Sequence, residues 1–172
     1  MSSKRLFFAL WPDNRQRDRM RDFISPVARL VEGKAVDRRN WHITLAYIGD
    51  FPESRIDELL AAKSAVQMEP FRLRFDRLEF WPRARIAALV PPTIPPELER
   101  IVEGLLGRVV AAGVNPEHDR VYRPHVTVVQ NARIFEAQRL AQSAVTEWSS
   151  FELVESVPER GGAVYRPIVK DS

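Results

Sequence analysis

The sequence predicts a mixed fold of strands and helices, built as two similar lobes around one cleft. Three observations predict it. Two stretches repeat one pattern, His42-Ile43-Thr44-Leu45 and His125-Val126-Thr127-Val128. Each follows the same run of elements, a strand and then a helix. The repeat period is near half the chain, whereas solenoid repeats are shorter and more numerous. A pseudo-twofold that brings each His/Thr strand to the shared cleft satisfies all three.

Taken in order, Lys4 to Trp11 is apolar and aromatic and reads as a buried strand. Pro12-Asp13-Asn14 turns the chain into a helix from Arg15 to about Val31. Met20, Phe23, Ile24, Val27 and Leu30 line its inner face, and Pro26 kinks it or ends it early. Trp41 to Ile48 is the first His/Thr strand, closed by Gly49-Asp50. Glu53 to about Val66 is a second helix with Ile56, Leu59 and Leu60 inward. Phe71 to Phe80 alternates apolar and charged residues, as a half-exposed strand does, and Arg85 to Val90 is a further strand. The prolines from Pro91 to Pro96 make a stiff turn into a helix from Glu97 to about Ala112, stopped at Gly113. A polar loop leads to the second His/Thr strand, His125 to Val129. A helix over Phe135 to Val145 and two strands, Ser150 to Val157 and Gly162 to Val169, complete the expectation.

A chain of 172 residues is one domain, or two small lobes sharing a core. Its composition, 45% hydrophobic and 28% charged, is that of a globular protein rather than a disordered one. No apolar run is long enough to cross a bilayer. The start reads as a first strand and not as a signal peptide. With no cysteine there is no thiolate chemistry and no disulfide, and a cytoplasmic location fits. The net charge is +3, carried almost wholly by arginine. Guanidinium groups suit phosphate contacts and an anionic substrate, although a preference for arginine codons gives the same excess.

In an extended strand, side chains two apart share a face. His42 therefore stands beside Thr44 and His125 beside Thr127, with Ile43, Leu45, Val126 and Val128 turned to the core. A histidine on a half-buried strand is commonly a hydrogen-bonded structural residue. Two such pairs at equivalent places, in a chain with three histidines, argue for function. Facing imidazoles divide proton work: the neutral one takes a proton from a nucleophile and the charged one gives a proton to a leaving oxygen. The threonine hydroxyls donate to phosphate oxygens as charge builds there. A strained cyclic phosphodiester suits such a site, and no metal is required. His118, in the loop Glu117-His118-Asp119, is expected to be solvent-exposed, and that group lacks metal-ligand spacing. Phe7, Phe8, Trp41, Phe80 and Trp81 are mostly core by their spacing.

With both tetrapeptides in place, the chain resembles the 2H phosphoesterase superfamily, and within it the RNA 2′,3′-cyclic phosphodiesterases, also called 2′-5′ RNA ligases. Arg5 to Leu10 resembles the family's first strand, Trp41 to Gly49 its first motif, Tyr122 to Val128 its second, and Ser156 to Tyr165 its closing hairpin. The likeness implies a single α+β domain over residues 1–172, bilobal and pseudo-twofold. Two antiparallel-rich sheets would line a central cleft with helices outside. It implies hydrolysis of RNA 2′,3′-cyclic ends to a 2′-phosphate without a metal or other cofactor, with His42 as proton donor and His125 as proton acceptor, and a reverse 2′-5′ ligation. The expected partners are RNA ends or nucleotides with a 2′,3′-cyclic phosphate, and the expected state is a monomer away from membranes. Where the family commonly has Leu-Ala-Arg after the second motif, this chain has Val128-Val129-Gln130. Gln130 and Arg123 are candidate substrate contacts, and Arg123 or Arg133 would stand in for the missing charge. An equal alternative for Arg123 is a loop arginine bonded to a neighbouring carboxylate. The non-enzyme alternative is an RNA-end-binding module using the same cleft.

Overall fold

The computed structural model describes residues 2–116 and 121–169. In chain order the elements are β1 (Ser3–Leu10), α1 (Asn14–Ala28), β2 (Lys34–Ala35), β3 (Ile43–Pro52), α2 (Ile56–Ala65), β4 (Phe71–Trp81), β5 (Ile86–Val90), α3 (Pro96–Ala111), β6 (Val126–Gln130), β7 (Gln138–Trp148), β8 (Glu152–Glu159) and β9 (Gly162–Pro167). The strands form two sheets, ordered β3-β1-β8-β9 and β2-β6-β5-β4-β7. Every pairing is antiparallel. This is an α+β fold.

Local chemistry accounts for the helices. Asp13 caps α1, its side chain accepting from the Gln16 amide at 2.7 Å. Met20 and Ile24 face inward, and the helix ends at Ala28, two residues past Pro26 and short of the expected Val31. Pro96 occupies the first turn of α3, where its missing N–H costs nothing. Leu98, Ile101, Val102, Leu105 and Val109 form the buried stripe of that helix. The helices cross over between the halves: α1 packs on β6 and β7, and α3 packs on β3. One continuous core therefore runs through both halves, from Leu6, Phe8 and Leu10 of β1 to Leu73, Phe75 and Leu78 of β4. No helix among the described residues is long and apolar enough to cross a membrane.

The internal repeat is real at the level of pairing. β1 and β3, joined through α1, lie side by side, as do β5 and β6, joined through α3. The match extends to an irregularity. Against β1 the register steps from Ala46 to Thr44, skipping Leu45; against β5 it steps from Val129 to Thr127, skipping Val128. Each His/Thr strand thus carries a bulge immediately after its threonine. Two successive residues, Leu45-Ala46 and Val128-Val129, are consequently buried. Bulges re-aim side chains and are common beside active sites.

Two elements depart from expectation: the short strand β2, paired with the end of β6, has no expected counterpart, and one expected helix is a strand. The helix expected over Phe135 to Val145 is strand β7, paired with β4 so that Phe71 lies opposite Trp148, Leu73 opposite Thr146 and Phe75 opposite Ala144. Ala144, Thr146 and Trp148 are buried alternately, the period of a strand. The Thr146 hydroxyl donates to the Leu73 carbonyl at 3.0 Å and accepts from Trp148 Nε1 at 2.7 Å. Pairing with a partner far away in sequence overrides the local alanine-rich helical spacing.

Candidate active site

Both histidines sit one residue ahead of their strands and are held in the same way. His42 Nδ1 donates to the Asn40 carbonyl at 2.7 Å, and His125 Nδ1 donates to the Arg123 carbonyl at 3.0 Å. A carbonyl only accepts, so Nδ1 carries the hydrogen in each ring. In the neutral imidazole Nε2 is then the basic atom. The two sites differ at that atom. His42 Nε2 lies 3.0 Å from Thr44 Oγ1, so the hydroxyl donates to it; among the described residues no such bond joins His125 to Thr127. Both threonines are half-buried.

Aromatic rings fix each imidazole. His42 lies against Phe7 at 4.9 Å, meets the edge of Tyr165 at 5.2 Å and stacks near Trp11 at 6.1 Å between centroids. Phe7, Ala9 and Val154, with Trp11 and Tyr165 packed on them, form a small second cluster apart from the main core. His125 packs on Trp81 at 4.2 Å. The Arg123 guanidinium lies over the same indole at 4.7 Å and donates to Glu79 at 2.8 Å.

The halves meet at a cleft of about 890 Å³ lined from β3 by Thr44 and Tyr47, from β4 by Trp81, and from the second motif by Tyr122, Arg123 and His125. Tyr122 Oη donates to the Thr44 carbonyl at 2.8 Å, tying the two motifs together. Burial raises the pKa of that phenol, so it remains a donor. Burial also pushes His42 down to about 4; the bond to Asn40 opposes this and the charge of His125 adds to it. The two imidazoles therefore act on each other electrostatically. His125 is lowered as well, first by burial and then by the Arg123 charge, with the bond to the Arg123 carbonyl acting in the raising direction. In the free protein both rings are biased toward the neutral form.

Thr44, Arg123 and His125 thus line one cleft; His42 is bonded to Thr44 but is not among the residues lining that cleft, nor is Thr127, which follows His125 on β6. Arg123 matches the alternative of a loop arginine bonded to a carboxylate, while its backbone holds His125. Gln130 stands apart, exposed at the far end of β6 in a separate recess of about 320 Å³ with Lys34, Arg39, Asn40, Arg160 and Tyr165. Arg133 is bound to Glu32 at 3.1 Å and is not among the residues lining the cleft. His118 lies outside the described residues. Among the described residues no three His, Asp or Glu side chains gather as a metal cluster.

Sequence reasoning gave no role to Asn40, Tyr122 or Glu79. Asn40 Nδ2 donates to the Ala163 carbonyl at 2.8 Å and its Oδ1 accepts from the Tyr165 amide at 3.2 Å, so the residue whose carbonyl orients His42 also anchors the β8–β9 hairpin. The one available signal was position: Asn40 and Arg123 both lie two residues before a histidine.

Known proteins resemble this chain in sequence and in fold. The family model described as LigT-like phosphoesterase matches residues 10–89, a span that includes the first His/Thr pair. A protein of Archaeoglobus fulgidus named RNA 2′,3′-cyclic phosphodiesterase is 22% identical over 95% of this chain and 97% of its own length. One of the same name from Aeropyrum pernix is 28% identical over 87% of this chain and 90% of its own. The crystal structure of E. coli LigT complexed with 3′-AMP superposes with a TM-score of 0.85 at 23% identity, covering 98% of this chain and 97% of that one, a likeness of fold. In its repeated His/Thr strands, its fold and these relatives, the chain is similar to the LigT-like phosphoesterases.

Proposed function

We propose that the protein hydrolyses 2′,3′-cyclic phosphate ends of RNA to 2′-phosphates by two-histidine acid–base catalysis. The observation that carries this is the twin arrangement of His42 and His125. Each has its Nδ1–H spent on a backbone carbonyl two residues back, and their charges act on each other. That leaves two Nε2 atoms for proton transfer.

In this mechanism His125 Nε2 accepts a proton from water as the water oxygen bonds to phosphorus. The bond from phosphorus to O3′ breaks on the opposite side, and His42 Nε2–H gives its proton to O3′. The phosphate remains on O2′. Thr44 and Thr127 donate to the non-bridging oxygens as their charge grows. With an RNA 5′-hydroxyl in place of the water, the same transfers join two strands by a 2′-5′ linkage. His42 must be charged to act, and its low pKa in the free protein means that the substrate's negative phosphate has to raise it. When the ring is protonated, Nε2 becomes a donor and releases the Thr44 hydroxyl to bond phosphate instead.

Product identification tests the proposal. An oligoribonucleotide with a 2′,3′-cyclic end should be opened to a 2′-phosphate. Formation of a 3′-phosphate would overturn the assignment of O3′ as the leaving oxygen. Tight binding with the cyclic end left intact would make the cleft a binding module instead of an enzyme site.

A further inference from the structure

We propose that Glu79 is a positioning residue for His125: its carboxylate ties Arg123 and Trp81 into one clamp around the imidazole and offsets the positive charge beside it. The inference rests on the two-histidine reading above.

Glu79 and Trp81 are two apart on β4, so both side chains leave the strand on the same face. One oxygen, Oε1, accepts from both Trp81 Nε1 at 3.1 Å and Arg123 Nη2 at 2.8 Å. The groups it holds are the two that touch His125, Trp81 through its ring and Arg123 through its carbonyl. Glu79, Trp81, His125 and Arg123 therefore form a closed circuit of contacts. The Glu79 side chain is only 22% exposed, so solvent screens it less than an ordinary surface carboxylate. Burial acts to raise its pKa, but the hydrogen bonds from Arg123 and Trp81 outweigh this and hold the group below its usual value. Those bonds favour its charged form.

The charge that acts on His125 is Arg123 on its own segment; Glu79 on β4 is bonded to Arg123, with Arg77 at 3.8 Å from its second oxygen, and His125 in turn acts on His42. Arg123 opposes protonation of His125, and Glu79 compensates Arg123. Replacing Glu79 with Gln keeps the shape and an acceptor oxygen while removing the charge. Arg123 is then unopposed, and His125 should titrate at lower pH.

The test follows His125 by NMR titration of the full chain and, in parallel, the pH dependence of kcat/KM on an oligoribonucleotide with a cyclic end. Glu79→Gln should lower the His125 titration by about half a pH unit, and the limb of the rate profile that reports His125 should move with it. Glu79→Asp, which keeps the charge, should restore both toward wild type. Arg123→Gln should move the titration the opposite way. A role in packing alone would lower the rate evenly at every pH. An unmoved titration in Glu79→Gln overturns the proposal. If that variant does not fold, absence of an upward shift in Arg123→Gln overturns it equally. Should His125→Ala be inactive while Glu79→Gln is unshifted, only this inference fails; a fully active His125→Ala would instead remove the two-histidine reading beneath it.

Discussion

The phenol of Tyr122 donates to the carbonyl of Thr44 across 78 residues of chain, at 2.8 Å, and joins the second motif to the backbone of the first. This bond bridges the two halves at the cleft itself. Tyr122→Phe keeps the ring and removes the donor, so unfolding free energy should fall by about 1 kcal/mol. The rate should fall several-fold, because the spacing of the two histidines is no longer fixed from this side. Denaturant unfolding and steady-state kinetics on a cyclic-end oligoribonucleotide check both; a variant unchanged in stability and rate would show that the bond does not hold the cleft.

Asn40 is the equivalent brace on the His42 side. Its side chain makes two bonds to the β8–β9 hairpin, which carries Tyr165 against the His42 ring. Asn40→Ala removes those bonds but leaves the backbone carbonyl that orients His42. Stability should drop by about 1–2 kcal/mol, measured as a lower Tm. The fall in kcat should exceed the rise in KM. A pure KM effect would place Tyr165 in substrate binding alone.

The threonine hydroxyls are assigned to transition-state charge. Thr44→Val and Thr127→Val should each lower kcat by about tenfold or more with little change in KM, and serine at either position should retain most of the rate. Thr44→Val should in addition ease protonation of His42, because the hydroxyl that donates to the neutral Nε2 is gone. Equal activity of Val and Thr variants would remove the hydroxyls from the chemistry.

Proton uptake follows from the buried imidazoles. His42 is at about 4 in the free protein, and an anion in the cleft raises it, so the complex binds more protons than its parts. Binding of a non-hydrolysable phosphate analogue should tighten as pH falls from 8 toward 5. Calorimetry in buffers of different ionisation enthalpy should register the uptake. Stability carries the opposite sign. An unfolded histidine near 6.5 takes up protons that the folded site refuses, so the contribution is whole above 6.5 and is lost as pH falls toward 4. The Tm should decline over that window, and His42→Gln should flatten the decline. A Tm indifferent to pH between 7 and 4.5 would contradict burial of a neutral His42.

The core faces and the His/Thr pairs were legible because both follow the two-residue period of a strand. Leu6, Phe8, Ile43 and Val126 are buried as that period requires, and the threonines lie on the other face. The period breaks at Leu45-Ala46 and Val128-Val129, where the bulges lie. A bulge is a property of the pairing, and a single strand's sequence does not show it. Strand β7 was lost for a related reason, since its spacing of small and apolar residues suits a helix until β4 lies beside it. The supports of the site were hidden by distance. Trp81 reads as a core aromatic yet packs on His125 from 44 residues away, and Glu79 is an ordinary surface-pattern carboxylate until Arg123 folds onto it.

The central claim is that two imidazoles share one phosphorus atom. The most direct measurement compares His42→Ala and His125→Ala separately, following turnover of an oligoribonucleotide bearing a 2′,3′-cyclic phosphate and its binding by each folded variant. The two-histidine mechanism predicts that each loses turnover by about a hundredfold or more while substrate still binds. Turnover near wild type in either variant would contradict it.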